Sequence, residues 1–521
     1  MKKSIVCTLT AAMVLGMIGS VVAPVQAEEE KPIKVTAQLS GDVGSMNPYG
    51  PEGFSTMTVF PEIYETLFFQ KTLGGEVNPL LATGYTMVND KLADITIADD
   101  IYDTAGNHIT ASDVVFSYEQ DIKEGNQPNY LGNIESIKAL DDYTVEIALK
   151  SAGVGVFEDA VCSVRIVSET QYESDHMDTV PVGTGPYVLK DWSAGSSITL
   201  EKKENYWNDD DRAAIAAANA DEIVYKVITE PSQTLIALQN GEVDFSKNVA
   251  ISDVYHFLEG GDSEDDFTVE SVPDTLSQVI FFNCSEGNPF SDVRLRQAVS
   301  YAIDNQAVLD GVYEGRGDVC HAYGGEMSAD YNPKWKEEDY YDYDPEKAKE
   351  LLTEAGYPDG LDIRLMCDSQ APHIMMAQII QIYLQQVGIN VTIDTYDEAL
   401  FNTYRFDPTQ WDIHINNKAG NYVVQQWQYS LDADFYNGVT CNWLDDAKLQ
   451  ELFRTAINKE THTQENVDAC WEYQKEVDPI YAVCFSYQYF IGQKGIESMY
   501  ISDRLIPILG AFTFNDNFVS E

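Results

Sequence analysis

The stretch from Pro181 to Trp207 reads PVGTGPYVLKDWSAGSSITLEKKENYW. It begins with two closely spaced glycines, Gly183 and Gly185, and Pro186 then fixes its own φ angle. Two short β-rich runs follow, and a turn at Gly195 separates them. Turn residues between two β-rich runs predict a β-hairpin, here inside a larger α/β protein.

Helix and strand signals alternate along the rest of the chain. Asp344 followed by Pro345 predicts a helix start, because aspartate caps free N–H groups and proline suits the first turn, and Gly356 predicts the end. Apolar residues at helical spacing predict a helix over Met375–Val387, and Ile389–Ile393 alternates as a strand. Further helices are predicted over Ser291–Ile303 and Ser232–Asn240, and further strands over Val145–Leu149, Ile198–Leu200, Ile223–Ile228 and Val243–Phe245. This alternation predicts α/β layers.

Residues 1–27 have the pattern of a cleavable secretory signal. Lys2 and Lys3 precede an apolar segment, and Val25–Ala27 is a small-x-small cleavage site. Cys7 lies at the start of the apolar segment and not beside the cleavage site, so the sequence does not predict a lipid-anchored protein. We therefore expect a periplasmic or secreted protein.

The length of the chain indicates how many domains it forms. A chain of 521 residues is too long for one hydrophobic core and predicts two or three domains.

The 85 acidic side chains against 32 basic ones give a formal net charge of −53. A surface of this sign repels nucleic acids and anionic lipid headgroups, so we expect no nucleic-acid partner.

The cysteine and histidine patterns do not predict a metal site, a cofactor or an enzyme. No C-x-x-C, H-E-x-x-H, G-x-S-x-G, P-loop or G-x-G-x-x-G pattern occurs. One or two disulfides and buried free thiols are both compatible with an oxidising compartment. The cysteines beyond the signal segment, an odd number, are Cys162, Cys284, Cys320, Cys367, Cys441, Cys470 and Cys484.

The hairpin at Pro181–Trp207 resembles the signature of the family-5 extracellular solute-binding proteins, which are receptors of bacterial ABC importers for peptides, nickel and oligosaccharides. The similarity extends over about residues 35–500 in consistent order. The other segments that resemble this family are Ser45–Pro48, Ile63–Leu67, Ile109–Tyr118, Leu235–Asp244, Phe282–Asp304, Asp344–Gly356 and Leu384–Val391.

The resemblance implies an α/β, two-lobed periplasmic-binding-protein-like fold of the large kind, with an extra domain. Two crossing strands near Val279–Asn283 and Cys484–Gln488 are expected to form the hinge, and the ligand is expected to bind between the closing lobes. The implied domains are lobe one at 28–72, 190–280 and 487–521, the extra domain at 73–189 and lobe two at 281–486.

The function implied by the resemblance is that of a substrate-binding protein, not an enzyme. We expect a monomer that captures a peptide-like solute and delivers it to an ABC permease and its ATPase. An oligosaccharide receptor of the same fold is one alternative, because aromatic rings and amides suit sugars. A secreted hydrolase and a chemotaxis sensor partner are two others.

Family members that bind peptides hold the α-ammonium group with an aspartate in a loop after a strand. By resemblance that strand is Gln410–Ile415 and the loop reads Asn416–Tyr422, where Asn421 occupies the aspartate position and Lys418 replaces an aromatic residue. The sequence predicts that the loop continues to Asp434 and carries Trp427. An amide cannot supply the charge-assisted bond of a carboxylate. Asp432 is one possible substitute, and Asp434 is another.

The remaining candidate residues are aromatic or polar side chains that we expect near the cleft. Loops on a rigid scaffold gather binding residues, and an arginine can hold a carboxylate with two hydrogen bonds. Tyr49 and Phe54 lie in a predicted loop after Asn47-Pro48, and Tyr487 lies at the second predicted crossing strand. The full set of candidate ligand-binding residues is Tyr49, Phe54, Arg165, Lys418, Asn421, Tyr422, Gln425, Trp427 and Tyr487.

Overall fold

A computed structural model describes residues 32–519 of the chain, except 52, 126–127, 176, 209–213, 419 and 434–441. The predicted signal at 1–27 and Cys441 therefore lie outside the described residues. Within the described part, no helix combines the length and the apolar character that a bilayer crossing requires.

The strands are numbered in chain order. They are β1 Lys34–Leu39, β2 Phe68–Gln70, β3 Val77–Pro79, β4 Ala82–Asn89, β5 Leu92–Ile97, β6 Ile134–Asp141, β7 Thr144–Leu149, β8 Tyr187–Ser193, β9 Ser197–Lys202, β10 Glu222–Val227, β11 Phe245–Ser246, β12 Phe267–Pro273, β13 Ser277–Phe282, β14 Gly317–Val319, β15 Leu361–Asp368, β16 Ile389–Tyr396, β17 Ile413–Lys418, β18 Ile480–Gln493, β19 Ile496–Ser498 and β20 Thr513–Phe514.

The α-helices are numbered in the same way. They are α1 Phe54–Val59, α2 Ala111–Glu124, α3 Pro128–Leu131, α4 Val156–Ser163, α5 Glu169–Ser174, α6 Pro231–Gln239, α7 Val293–Ala302, α8 Asn305–Tyr313, α9 Pro345–Glu354, α10 Ala371–Gln386, α11 Glu398–Tyr404, α12 Val423–Leu431, α13 Ala447–Ile457 and α14 Gln464–Val477.

The local sequence signals explain several of these boundaries. The Asp344 carboxylate accepts hydrogen bonds from the backbone N–H groups of Glu346 and Lys347, which caps α9 with Pro345 in its first turn. Gly356 follows that helix with a φ of 97°, a conformation that glycine adopts without steric cost. The predicted start and end of this helix are confirmed.

The predicted hairpin at Gly195 is confirmed as β8 and β9, which pair antiparallel. Gly195 has a φ of 70° in the turn between them. Gly183 and Gly185 instead lie where two backbone segments pack together: a Cβ atom on Gly183 would stand 2.1 Å from the carbonyl oxygen of Ile63. The two glycines therefore serve close packing against the segment that follows α1.

A large mixed sheet organises the fold. Its strands follow the order β16-β15-β17-β13-β18-β11-β1-β10-β9-β8, and β12 and β14 both pair with β18. Parallel pairing of β1 with β10 and of β15 with β16 is the arrangement expected for α/β layers. A separate antiparallel sheet has the order β4-β5-β7-β6.

Two chain segments cross side by side between the two halves of the large sheet. The first half of β18 pairs with β13, and its second half pairs with β12, from Pro273 opposite Tyr487 to Phe267 opposite Gln493. Since β12 and β13 are separated only by residues 274–276, they form the second crossing segment. The predicted two-lobed fold with a hinge of two crossing strands is confirmed.

Two hydrophobic cores lie on either side of these crossing strands. One contains residues of β13 to β17 and the helices packed on them, such as Trp335, Trp411 and Trp427. The other contains residues of β1, β8 to β10 and the antiparallel sheet, such as Ile95 and Tyr225. The antiparallel sheet of the predicted extra domain thus shares a core with the predicted lobe one, and the predicted domain limits stay a prediction.

The structure overturns one sequence prediction, that of a long loop, and decides the state of the cysteines that it describes. The prediction of a continuous loop over Asn416–Asp434 is wrong, because α12 occupies Val423–Leu431 with an apolar face against the second-half core. The cysteines that the structure describes are all free thiols, so no disulfide forms among them.

Candidate functional site

The two cores are linked by a buried carboxylate, Asp159, on α4. The side-chain amide of Asn421 donates to Asp159 Oδ1 at 2.7 Å, and that of Gln425 donates to Asp159 Oδ2 at 2.8 Å. All three side chains are buried. We call this contact the Asp159 bridge; it connects α4, in one core, to the start of α12, in the other.

Backbone contacts support the Asp159 bridge on both sides. The N–H of Val154 donates to the carbonyl of Ile457, and the N–H of Lys459 donates to the carbonyl of Ala152. The hydroxyl of Tyr422 donates to the carbonyl of Gly74 at 3.2 Å. The described conformation therefore holds the two halves in contact along this edge.

Burial raises the pKa of the Asp159 carboxyl to about 7, although Arg504 and the Gln425 hydrogen bond oppose that shift. When Asp159 is ionised, both of its carboxylate oxygens only accept hydrogen bonds, so each can pair with one amide N–H. The protonated form has one oxygen that also donates, so it matches the two donors less well. The strength of the Asp159 bridge is therefore expected to change near neutral pH.

A cavity of about 140 Å³ lies between α1, α4 and the loop that follows β19. We call it the Arg165 cavity. Four charged residues line it: Arg165, Arg504, Glu65 and Asp503. The rest of its wall is largely apolar and includes Met57, Phe69, Leu80, Ile215, Ile506 and Ile508.

Neighbouring groups fix the position of Arg165. Its guanidinium lies 5.1 Å from the ring centroid of Phe60, and Nη1 donates to the carbonyl of Pro48 at 3.3 Å. The hydroxyl of buried Tyr49 donates to the backbone carbonyl of Arg165 at 2.9 Å. Tyr49 thus supports the arginine from behind.

Glu65 is the buried acid of the same cavity. It accepts hydrogen bonds from the hydroxyl of Tyr206 and from the indole N–H of Trp207, the latter at 2.9 Å. Burial raises its pKa to about 7 despite these donors. The cavity therefore combines largely apolar walls with a small number of acidic and basic groups.

A second cavity, of about 200 Å³, lies beside the crossing strands. We call it the hinge cavity. Gln488 of β18 and the end of β1 form part of its wall, Lys247 lines it after β11, and Phe54 stands at its rim with 67% of its surface exposed. Phe54 begins α1, so it is not in a loop as predicted.

The other predicted residues lie apart from these features. Trp427 is fully buried, donates its indole N–H to the carbonyl of Tyr323 at 2.6 Å and stacks on Trp335. Tyr487 lies in β18, and its hydroxyl donates to Asp318 at 2.6 Å. The side chain of Lys418 lies outside the described residues.

Asp432 and Asp434 were named as residues that could replace the ammonium-binding aspartate, and the structure describes the first of them. Asp432 faces the guanidinium of Arg454 at 3.3 Å, and Asp434 lies outside the described residues. The structure therefore brings Asn421 and Gln425 to the contact between the two halves. Arg165 instead contacts Pro48 and Phe60 of its own half.

Sequence reasoning missed Asp159, Glu65 and Lys247. The run Val156–Val161 is apolar except for Glu158 and Asp159, and an acid inside an apolar helical run is a signal of a partnered buried group. No comparable signal marks Lys247, because its surroundings come from distant segments.

Comparisons with known proteins agree with this architecture. The family described as bacterial extracellular solute-binding proteins, family 5, matches residues 76–443. The chain is 23% identical over 474 residues to the oligopeptide-binding protein AppA of Bacillus subtilis, which covers 81% of this chain and 82% of that protein. It is 28% identical over 403 residues to the glutathione-binding protein GsiB of Pectobacterium atrosepticum, which covers 75% of this chain and 72% of that protein.

Among solved structures, HbpA2 from Haemophilus parasuis has the same fold. It superposes with a TM-score of 0.80 at 19% sequence identity, over 92% of this chain and 100% of that chain. The family match spans well over half of the chain and includes β4 to β17. The chain therefore belongs to the bacterial extracellular solute-binding proteins of family 5.

Proposed function

We propose that the protein captures a peptide-like solute by closing its two lobes around it, and that it then delivers the solute to an ABC permease driven by an ATPase. The observation that carries this proposal is the Asp159 bridge, which joins the two cores beside the Arg165 cavity. A contact that forms only on closure favours the closed state, and a ligand that touches both lobes adds to that preference.

The chemistry of the two cavities favours a peptide over an oligosaccharide. A peptide carries charged groups of both signs, and the two cavities together offer acidic and basic side chains, among them Glu65 and Lys247. The amides of Asn421 and Gln425, which would suit a sugar, are both engaged by Asp159. The relatives named for oligopeptides and for glutathione, a tripeptide, support the same class.

The remaining parts of the proposal concern location and partners. We infer that residues 1–27 are removed and that the mature chain acts as a monomer outside the cytoplasmic membrane. We also infer that the bound solute leaves chemically unchanged; the solute-binding family to which the chain belongs supports this.

Mass spectrometry of the purified protein tests the proposal. The mature chain is dialysed against a mixture of random tripeptides and, separately, against a mixture of malto- and cello-oligosaccharides, and the retained solute is released by denaturation. We expect retained tripeptides of unchanged mass and no retained sugar. Retention of sugars alone, or recovery of hydrolysed peptides, would contradict the proposal.

A further inference from the structure

Lys247 is a partly buried cation in the hinge cavity. Its ammonium Nζ donates a hydrogen bond of 3.2 Å to the backbone carbonyl of Leu505. Among the residues that the structure describes, Lys247 forms no ion pair. Burial lowers its pKa to about 8, and the attraction of Asp274 opposes that shift.

Asp274 is the acid whose charge attracts Lys247, but its carboxylate already accepts two other hydrogen bonds. Its Oδ2 accepts from the side-chain amide of Gln488 at 2.7 Å, and its Oδ1 accepts from the backbone N–H of Leu276 at 3.0 Å. Both contacts hold Asp274 between the crossing strands. The ammonium group of Lys247 is thus left with a carbonyl as its neighbour, not a carboxylate.

One side of the wall around Lys247 is polar, and hydrogen bonds connect its residues. The side-chain oxygen of Gln38 accepts from Asn248 Nδ2 at 2.9 Å and from Ser246 Oγ at 3.2 Å. The amide nitrogen of Gln38 donates to the carbonyl of Ile228 at 2.7 Å. These contacts engage the amides of Gln38 and Asn248 within the wall, so the ammonium group of Lys247 is the charged group that remains to meet a ligand.

A cation that is desolvated without an anionic partner costs folding free energy. Such a cost is offset when an anion of the ligand enters the cavity, and perturbed groups of this kind concentrate at functional sites. The formal charge of −53 makes a local cation more important still, because the rest of the surface repels a negatively charged solute.

We propose that Lys247 binds the free C-terminal carboxylate of the captured peptide, in the hinge cavity. This inference rests on the proposed function and deepens it. It restricts the ligand class to peptides whose C-terminus is not blocked. It also assigns the ligand's anionic end to the side of the cleft formed by β1, β11 and the crossing strands.

The test compares tripeptides that have a free C-terminus with the same tripeptides as C-terminal amides. The probe is a random tripeptide mixture in both forms, and the best-retained sequence is then synthesised as acid and amide for calorimetry. We expect the wild-type protein to bind the acid about 10- to 100-fold more tightly, the range of one charge-assisted hydrogen bond. The variant Lys247→Met is expected to bind both forms with equal affinity.

Lys226→Met is the matched control. Lys226 also donates to a backbone carbonyl, that of Glu242 at 2.7 Å, but it does not line the hinge cavity. This control is expected to keep the full preference for the acid. An unchanged preference in Lys247→Met would overturn the inference and leave the proposed function standing, whereas failure of the wild-type protein to retain any tripeptide would end both.

A measurement on the wild-type protein covers the case in which Lys247→Met does not fold. A carboxylate beside Lys247 raises the pKa of its ammonium group, so binding of the acid at about pH 8.5 takes up protons. Binding of the amide lacks this contribution, so its proton uptake is expected to be smaller. Calorimetry in buffers of different ionisation enthalpy measures this uptake, and equal uptake for acid and amide would contradict the inference.

Discussion

The amide of Asn421 donates a 2.7 Å hydrogen bond to Asp159, 262 positions earlier in the chain. Asn421 precedes α12 in one core and Asp159 lies on α4 in the other. A residue expected to face the ligand thus faces the opposite half of the protein. Under the proposed closing motion, a change at Asn421 is expected to alter both closure and solute binding.

The substitution Asn421→Asp is expected to open this contact. It places a second carboxylate 2.7 Å from Asp159 and removes the donor. At about pH 8 we expect a larger radius of gyration by small-angle scattering and solute affinity weakened about 10-fold or more. At about pH 5 the effect should shrink, because the pKa of Asp159 is about 7 and a proton can be shared.

Asn390→Asp is the control for this prediction. Asn390 donates to Asp362 at 2.8 Å in an equivalent but exposed pair. Water screens the exposed pair, so its variant should leave the radius of gyration and the affinity unchanged. Equal effects of the two substitutions would show that closure does not depend on the Asp159 bridge.

The substitution Gly183→Ala is expected to destabilise the fold by about 3 kcal/mol or more. The new Cβ atom would stand 2.1 Å from the carbonyl oxygen of Ile63, and backbone must move to admit it. Gly84→Ala, in β4, meets no atom within 4 Å and should change the free energy of unfolding by no more than about 0.5 kcal/mol. Urea titration measures both, and similar midpoints would contradict the prediction.

Buried acids should make the protein more stable at mildly acidic pH. Burial raises the pKa of Glu62, Glu65, Asp159 and Asp478 to about 7. The folded state therefore binds more protons than the unfolded state above the ordinary carboxyl pKa, and its stability falls as pH rises through about 7. Thermal unfolding across this range measures the decline.

The variant Glu65→Gln should flatten part of that pH dependence, because the amide cannot ionise. Glu173→Gln, which changes an exposed acid on α5, should leave the slope as it is. A melting temperature that rises from about pH 5 to about pH 8 in the wild-type protein would contradict the prediction.

Substitutions of Trp427 and Phe54 should have opposite effects: the first should lower stability without changing affinity, and the second should lower affinity without changing stability. Trp427→Phe loses the 2.6 Å hydrogen bond to Tyr323 and part of the stacking on Trp335, at a cost of about 1 to 3 kcal/mol. It should leave solute affinity unchanged once the protein is folded. Phe54→Ala, at the exposed rim of the hinge cavity, should weaken binding and leave the urea midpoint nearly constant.

Local signals in the sequence predicted the local structure well. The helix α9 begins after Asp344 and is closed by Gly356 as expected, and α7 and α10 fall on the predicted apolar periodicities. These signals act between residues a few positions apart, so they are readable from the order of the residues. The loop prediction over Asn416–Asp434 failed because α12 gains its stability from packing against a distant core.

The amino-acid order alone determined the hairpin, the caps, the alternation of helices and strands and, through its resemblance to known sequences, the two-lobed class. Only the tertiary structure decided which polar groups face one another. The partners Asp159 and Asn421 are 262 positions apart, and Lys247 and Leu505 are 258 apart. Burial, charge and hydrogen bonding at these positions depend on the surroundings that the whole fold assembles, and no short-range pattern encodes them.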